Sequence, residues 1–183
     1  VFVRSGTTWS QQARISAANA TTGVEFGTSV AIDGDTIVAG ADNISHGPST
    51  SFAGSVWIFT RSGSTWTERV ELFEPTPFGG HAFGSSVDIH AGTIIVGVPG
   101  RLSGTGAAYV YTGSGGSWSS QGMLTTAGAP GDSFGTSVAV NGDVAVVGQS
   151  GDFNANGDDA GSTIVFQRNA GVWTEQTTLL SSD

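Results

Sequence analysis

Apolar and polar residues alternate in short runs along the whole chain, and glycine, serine, asparagine and aspartate separate the runs. A Phe-Gly pair begins at Phe26, Phe83 and Phe134, and thirteen residues after each of its glycines another glycine closes an apolar run. Runs of this length predict β-strands rather than helices. Their recurrence at about 50 residues is typical of the blades of a β-propeller. The pattern therefore predicts an all-β fold of four-stranded antiparallel blades.

A second series runs beside the first, because an aromatic residue precedes a tryptophan by seven residues in every unit. The pairs are Phe2/Trp9, Phe59/Trp66, Tyr111/Trp118 and Phe166/Trp173. Each tryptophan opens a run that alternates apolar and polar residues, as an outer strand with one wet face does. We expect these tryptophans to pack between neighbouring blades, the alternative being exposed rings that stack on sugars. Trp57 is different, since its counterparts are Tyr109 and Ile164.

The turns within each unit also repeat. Asp33-Gly34-Asp35 and Asn141-Gly142-Asp143 separate apolar runs and predict type I′ hairpin turns, which need positive φ at both central residues. His90-Ala91-Gly92 occupies the same place in the middle unit, where we expect a slightly different loop.

The strand count predicts about three and a half blades in one propeller over residues 1–183. The outer strands of an incomplete blade fall in residues 1–25, and complete blades in 26–82, 83–133 and 134–183. Closed propellers have about four to eight blades. We therefore expect either a piece of a longer propeller or a half ring, two copies of which would supply the strands of seven blades.

Composition narrows the function classes. The 183 residues carry a net charge of −9, with six arginines and no lysine, so a nucleic-acid partner is not expected. No apolar run is long enough to predict membrane insertion. The absence of cysteine excludes disulfides and thiolate chemistry. Asn19 and Asn43 begin sequons, which would accept glycans only in a eukaryotic secretory host.

The Phe26-Gly27 and Val38-Ala39-Gly40-Ala41 segments resemble the FG-GAP repeat, in its bacterial and environmental form. Val96-Gly97-Val98-Pro99 keeps the proline of that motif. The resemblance implies the seven-bladed, integrin α-like propeller of secreted or cell-surface proteins. It also implies a non-catalytic adhesion or recognition module that binds protein or glycan. The alternatives are a structural, self-assembling component of a surface filament or coat, and a propeller lectin or polysaccharide-active enzyme domain.

The calcium loop of many such repeats is missing, because only the short Asp-Gly-Asp or Asn-Gly-Asp turn occupies its place. Another loop has oxygen-bearing side chains at alternate positions followed by a glycine, a pattern that suits Ca²⁺. Its candidate ligands are Asp152, Asn154, Asn156, Asp158 and Asp159. The alternative is an Asx-rich turn held by its own side chains.

Catalytic signals are sparse, and we expect no enzyme. His46, His81 and His90 are predicted to be solvent-exposed loop residues without metal-ligand partners. Asp33, Asp35 and Asp143 recur with the repeat, which indicates turn structure rather than the paired carboxylates of a glycosidase. The long variable loops 42–53 and 150–160 are better candidates for a binding surface, because a rigid scaffold would hold them on one rim.

Overall fold

The computed structural model describes residues 1–19, 23–47, 50–157 and 159–180. The described residues contain fourteen strands, in one two-stranded and three four-stranded sheets. The two-stranded sheet contains β1 (Phe2–Ser5) and β2 (Thr8–Gln11). The first four-stranded sheet contains β3 (Ser29–Asp33), β4 (Thr36–Ala41), β5 (Ser55–Ser62) and β6 (Thr65–Leu72). The second contains β7 (Ser86–His90), β8 (Thr93–Val98), β9 (Ala107–Ser114) and β10 (Ser117–Leu124). The third contains β11 (Phe134–Asn141), β12 (Val144–Gln149), β13 (Ser162–Asn169) and β14 (Val172–Leu179).

Each four-stranded sheet is an antiparallel meander in chain order, which confirms the predicted β-propeller fold. The third strand of each sheet runs three residues beyond the aromatic residue of the aromatic/tryptophan pair, to Ser62, Ser114 and Asn169. A short 3₁₀ turn, Leu102–Gly104, lies between β8 and β9. Among the described residues, no helix is long and apolar enough to cross a membrane.

The hydrophobic cores lie between successive sheets. Val38, Val56 and Ile58 face the second sheet, whereas their neighbours Ile37, Trp57 and Phe59 face the opposite way, toward the N-terminal segment. Both faces of β4 and β5 are therefore buried, which explains why these strands are apolar without alternation. Strand β6 alternates between exposed and half-buried residues, as predicted for an outer strand.

The repeated glycines are explained by the junctions between sheets. A Cβ on Gly40 would overlap the carbonyl oxygen of Gly84, and a Cβ on Gly97 would overlap that of Gly135. The Phe-Gly glycine of one sheet thus packs directly on the strand-closing glycine of the sheet before it. Ser29 Oγ donates a hydrogen bond to that carbonyl oxygen at the first junction over 2.6 Å. Ser86 Oγ does so at the second over 2.8 Å.

The type I′ hairpin turn occurs in the middle unit and not in the two units for which it was predicted. Gly34 and Gly142 have positive φ, but the residues that follow them do not, so these two turns are not type I′. Ala91 and Gly92 both have positive φ and connect paired His90 and Thr93, as a type I′ turn requires. The middle loop does differ, as expected, although it has the same length. The error arose because Gly34 and Gly142 occupy the first central position, not the second.

The repeated tryptophans lie at the edges of the cores between sheets. Trp66, Trp118 and Trp173 are half-buried and pack against them, whereas Trp9 is 62% exposed. Arg61 lies 5.3 Å from the centre of the Trp66 ring, and Arg168 lies 5.1 Å from that of Trp173. Trp57 is fully buried. Its side chain is therefore part of the core and offers no platform for a sugar.

Candidate functional site

The two ends of the sheets differ sharply. Two-residue turns close the hairpins at one end, for example between Asp33 and Thr36 and between Asn169 and Val172. The longer connections all lie at the opposite end, because successive antiparallel strands must turn at alternate ends. We call this end the long-loop rim and define it by the connections that follow β4, which are 42–54, 73–85, 99–106, 125–133 and 150–161. Both loops that the sequence singled out lie on this rim.

Apolar side chains project into solvent from the long-loop rim. Five large apolar residues there are exposed: Phe52, Phe73, Phe78, Leu102 and Phe153. Phe78 is 63% exposed and Phe153 is 70% exposed. Exposed aromatic side chains on loops that a rigid scaffold holds are the usual material of a binding surface.

A buried carboxylate is the centre of the polar network on this rim. Glu74 is fully buried, although it lies in the loop between β6 and β7. Its carboxylate forms an ion pair with Arg101 and accepts hydrogen bonds from His81 Nδ1 at 2.6 Å and from the Tyr109 hydroxyl at 3.1 Å. A buried charge is tolerated only with such compensation. Glu74 therefore fixes three side chains that come from two neighbouring loops and β9.

The expectation that His81 is an exposed loop residue is wrong, since only 15% of its side chain is exposed. Burial lowers the pKa of the His81 imidazole. The Arg101 guanidinium pairs with the same carboxylate and offsets its charge, so burial decides the direction of the shift. The imidazole is thus neutral near pH 7. It donates from Nδ1 to Glu74, which leaves Nε2 as a hydrogen-bond acceptor.

A cavity of about 450 Å³ lies beside this cluster. It is lined by Phe78, His81, Arg101 and Ser103, among others. The rings of Phe78 and His81 are 5.6 Å apart and inclined at 45°. The cavity thus has an aromatic corner and polar walls, which is the usual composition of a small-molecule site.

His46 and Ser55 do not form a catalytic pair. Ser55 is fully buried, and its hydroxyl donates to Glu71 Oε1 over 2.7 Å. His46 Nε2 lies 2.9 Å from the same hydroxyl oxygen and 3.1 Å from the carbonyl oxygen of Gly54. A substrate has no access to this serine, and the histidine is not placed between serine and carboxylate, as a triad requires. The network fixes the 42–54 loop against β6.

The recurring aspartates and His90 serve the scaffold. Asp35 pairs with Arg61, and Asp143 pairs with Arg168 across a hairpin. Asp33 Oδ2 accepts a hydrogen bond from the backbone N–H of Ala91 in the next sheet. His90 is half-buried rather than exposed as expected, and its Nδ1 accepts from the backbone N–H of Gly142. These contacts support the interpretation of the aspartates as turn structure.

Loop 152–159 is closed by its own hydrogen bonds. Asn154 Oδ1 accepts from the backbone N–H of Asn156, and Asn154 Nδ2 donates to Asp152 Oδ2 and to the carbonyl oxygen of Gly161. Asp158 lies outside the described residues, and Asp159 is exposed. In the described part of the chain, no group of three histidine, aspartate or glutamate side chains is arranged to hold a metal ion. The Ca²⁺ site stays a prediction, and the observed bonds are those of an Asx turn.

The sequence analysis missed Glu74, Phe78 and Arg101. None of them belongs to the repeated framework, and Glu74 and Arg101 are far apart in sequence. One signal was available, because only 11% of the residues are charged, so a charge outside the repeat is unusual. The two sequon asparagines, Asn19 and Asn43, donate hydrogen bonds from Nδ2 to Glu71 and Glu25, respectively.

Comparison with known proteins agrees with this architecture. The family model described as FG-GAP repeat matches residues 9–59 and 118–166, which together make up more than half of the chain. No curated protein matches. The matched segments contain the strand-closing glycines Gly40 and Gly148. The chain therefore belongs to the FG-GAP repeat family.

Proposed function

We propose that this chain is a non-catalytic recognition module that binds a protein or glycan ligand through the long-loop rim. The observation that carries the proposal is the distribution of exposed aromatic side chains. Of the five exposed phenylalanines among the described residues, only Phe2 lies away from this rim. An exposed aromatic ring does not contribute the stability that its burial would give, so the concentration of such rings on one surface favours a binding role.

The scaffold supports the same function. Backbone hydrogen bonds join neighbouring loops of the rim, from Gly80 N to Ser51 O and from Ala82 N to Phe52 O. The cores between the sheets lie directly beneath them. Loops held in this way lose little conformational entropy on binding, which favours affinity.

We also propose a secreted or cell-surface location, because the resemblance to integrin α-like propellers implies one. The net charge of −9 makes the surface acidic, so it would repel a polyanion. A macromolecular ligand outside the cell does not need to be a polyanion and therefore suits this surface. A polysaccharide-active enzyme is the weaker alternative. The aspartates that would supply its acid and base are engaged in hairpins and sheet junctions.

The test measures binding of the purified chain to immobilised oligosaccharides and to a panel of purified matrix proteins. The parent chain is compared with a variant of the rim and with a control variant. Phe52→Ser combined with Phe153→Ser removes two exposed rings from the rim. Val172→Ser is the matched control, because Val172 is 62% exposed at the opposite end of the sheets. We expect saturable binding that weakens at least ~10-fold in the rim variant and not in the control. Equal binding by all three proteins would contradict the proposal.

Self-assembly is the second candidate function, and exposed apolar side chains on the sheets favour it. Val30 is 66% exposed and Ile32 is 58% exposed on the first four-stranded sheet, and Val144 is 40% exposed on the last. Light scattering behind size exclusion tests this function. A discrete species at twice the 18.5 kDa chain mass supports two copies closing a ring, and a monomer contradicts it.

A further inference from the structure

We infer that the cavity beside Phe78, His81 and Arg101 is a subsite for a neutral saccharide. The inference rests on the proposed function and deepens it by naming the ligand class of one part of the rim. The cavity occupies the space between the β6–β7 and β8–β9 connections. Its volume of about 450 Å³ falls within the range of ligand pockets and suits one or two sugar rings.

The apolar wall suits the CH face of a pyranose ring. Phe78 lines the cavity and is 63% exposed, so its ring face is available before any ligand arrives. The π cloud of an aromatic ring carries partial negative charge, which attracts the weakly positive CH groups of a sugar. The His81 ring, inclined at 45° to Phe78, forms the second side of this corner. A flat apolar face thus meets a polar wall at a fixed angle.

The polar wall offers donors and acceptors side by side, which is what adjacent hydroxyl groups require. His81 uses Nδ1 on Glu74 and keeps Nε2 as an acceptor. Arg101 pairs with Glu74 through Nη1, its Nε is buried without a hydrogen-bond partner, and 17% of its side chain is exposed. Ser103 and Thr76 add hydroxyls to the lining. Each sugar hydroxyl both donates and accepts, so it matches this mixed set.

The charge balance favours a neutral ligand over an acidic one. The Arg101 cation is compensated by the fully buried Glu74 carboxylate, and the His81 imidazole is neutral near pH 7. The chain as a whole carries a net charge of −9. An anion would therefore meet no uncompensated positive charge in the cavity and would be repelled by the rest of the surface.

The cavity is not a by-product of the repeat. The backbone bond from Gly100 N to His81 O recurs in the third unit as Gly151 N to Asp132 O, so these loops share one framework. The third unit nevertheless has Asp132 where the second has His81. Leu102 and Ser103, at the mouth of the cavity, are consecutive non-glycine residues with positive φ. Such strain persists only where the surroundings enforce it and is common at ligand sites.

The test is a titration of the isotope-labelled 183-residue chain with the methyl glycosides of glucose, galactose and mannose, followed by amide chemical shifts. The methyl glycoside of glucuronic acid serves as the acidic probe. We expect saturable shifts in residues 76–81 and 100–105 with at least one neutral glycoside. Phe78→Ala should raise the dissociation constant about tenfold, since one stacking surface is lost. Phe2→Ala, at a phenylalanine that is 61% exposed and lies away from the rim, should change it less than about twofold.

Three results would overturn the inference: no saturable shift with any neutral glycoside, shifts with the glucuronide alone, or equal effects of the two alanine variants. Because Phe78 is largely exposed, its replacement should leave the amide shifts of residues away from the cavity unchanged. Thr76→Val provides a second variant of the lining. The inference and the proposed function can fail separately. If the Phe52/Phe153 variant loses binding to a macromolecular ligand while no glycoside binds, the inference fails and the proposed function stands.

Discussion

Replacing Tyr111 by phenylalanine should stabilise the chain. The Tyr111 side chain is 5% exposed, its hydroxyl is buried without a hydrogen-bond partner, and burial raises its pKa. The equivalent positions in the other two sheets are Phe59 and Phe166, so a phenyl ring fits this register. A buried hydroxyl without a partner costs about 1–3 kcal/mol of unfolding free energy. Some of that gain is lost because the space left by the oxygen stays unfilled.

We therefore expect Tyr111→Phe to raise the unfolding free energy by about 1 kcal/mol, which corresponds to about 2–4 °C in Tm for a chain of this size. Tyr109→Phe is the matched control on the same strand. The Tyr109 hydroxyl donates to Glu74, which is fully buried, so its removal weakens a charge-assisted hydrogen bond. Such bonds contribute about 1.5–3 kcal/mol, and the control should lower Tm by several degrees.

Thermal unfolding followed by far-ultraviolet circular dichroism, with urea unfolding at 25 °C, measures both variants. The urea slope must stay equal to that of the parent chain, so that the difference reports stability and not a changed unfolded state. The reasoning would be refuted by a Tyr111→Phe variant that is less stable than the parent. It would also be refuted if both variants shifted Tm in the same direction by the same amount, because only the Tyr109 hydroxyl has a hydrogen-bond partner.

Three further predictions concern the scaffold and the rim. Gly97→Ala should destabilise the chain by at least ~3 kcal/mol, because the added Cβ overlaps the backbone of the next sheet. Gly148→Ala should cost less than ~1 kcal/mol, because its Cβ overlaps only the hydroxyl of a serine side chain. Urea unfolding measures both variants. The lowered pKa of His81 means that the unfolded chain binds a proton first as pH falls below about 6.5, so stability should decline by at most ~1.4 kcal/mol per pH unit. His81→Gln should flatten this decline between pH 7 and 5.5, and an unchanged slope would contradict it. About 1 mM Ca²⁺ should stabilise the chain by no more than ~0.4 kcal/mol if loop 152–159 is an Asx turn, and a larger shift that chelation reverses would establish the cation site.

The fold was predictable because the contacts between sheets require the same residues at regular intervals in the sequence. Each sheet must place a glycine where the next Phe-Gly backbone approaches, as Gly40 does for Gly84 and Gly97 does for Gly135. Strand length and turn position follow from the same repeats. Turn type did not follow, because one residue of register decides whether an Asp-Gly pair supplies both central residues or only the first. Gly34 shows the difference.

The candidate site was not predictable for the opposite reason. Glu74 is buried only because Arg101, His81 and Tyr109 surround it, and these residues come from two loops and a strand. No spacing rule connects them, since the sequence distance between two rim loops depends on the length of the sheet between them. Their length favoured loops 42–53 and 150–160 as a binding surface. The cavity, however, lies between connections 73–85 and 99–106, and nothing in the sequence pattern distinguished these two.

These two outcomes have one physical cause. The junctions between sheets allow little variation, since a single added Cβ at Gly97 would displace the neighbouring backbone. Most side chains of the rim connections are under no such constraint. Their residue types can therefore differ between units. His81 in the second unit and Asp132 in the third occupy the same backbone position with different side-chain chemistry. A function specific to this chain is therefore best sought where the repeat fails. Glu74, Phe78 and Arg101 are such positions: Phe78 and Arg101 line one cavity, and Glu74 is the buried partner of Arg101 beside it.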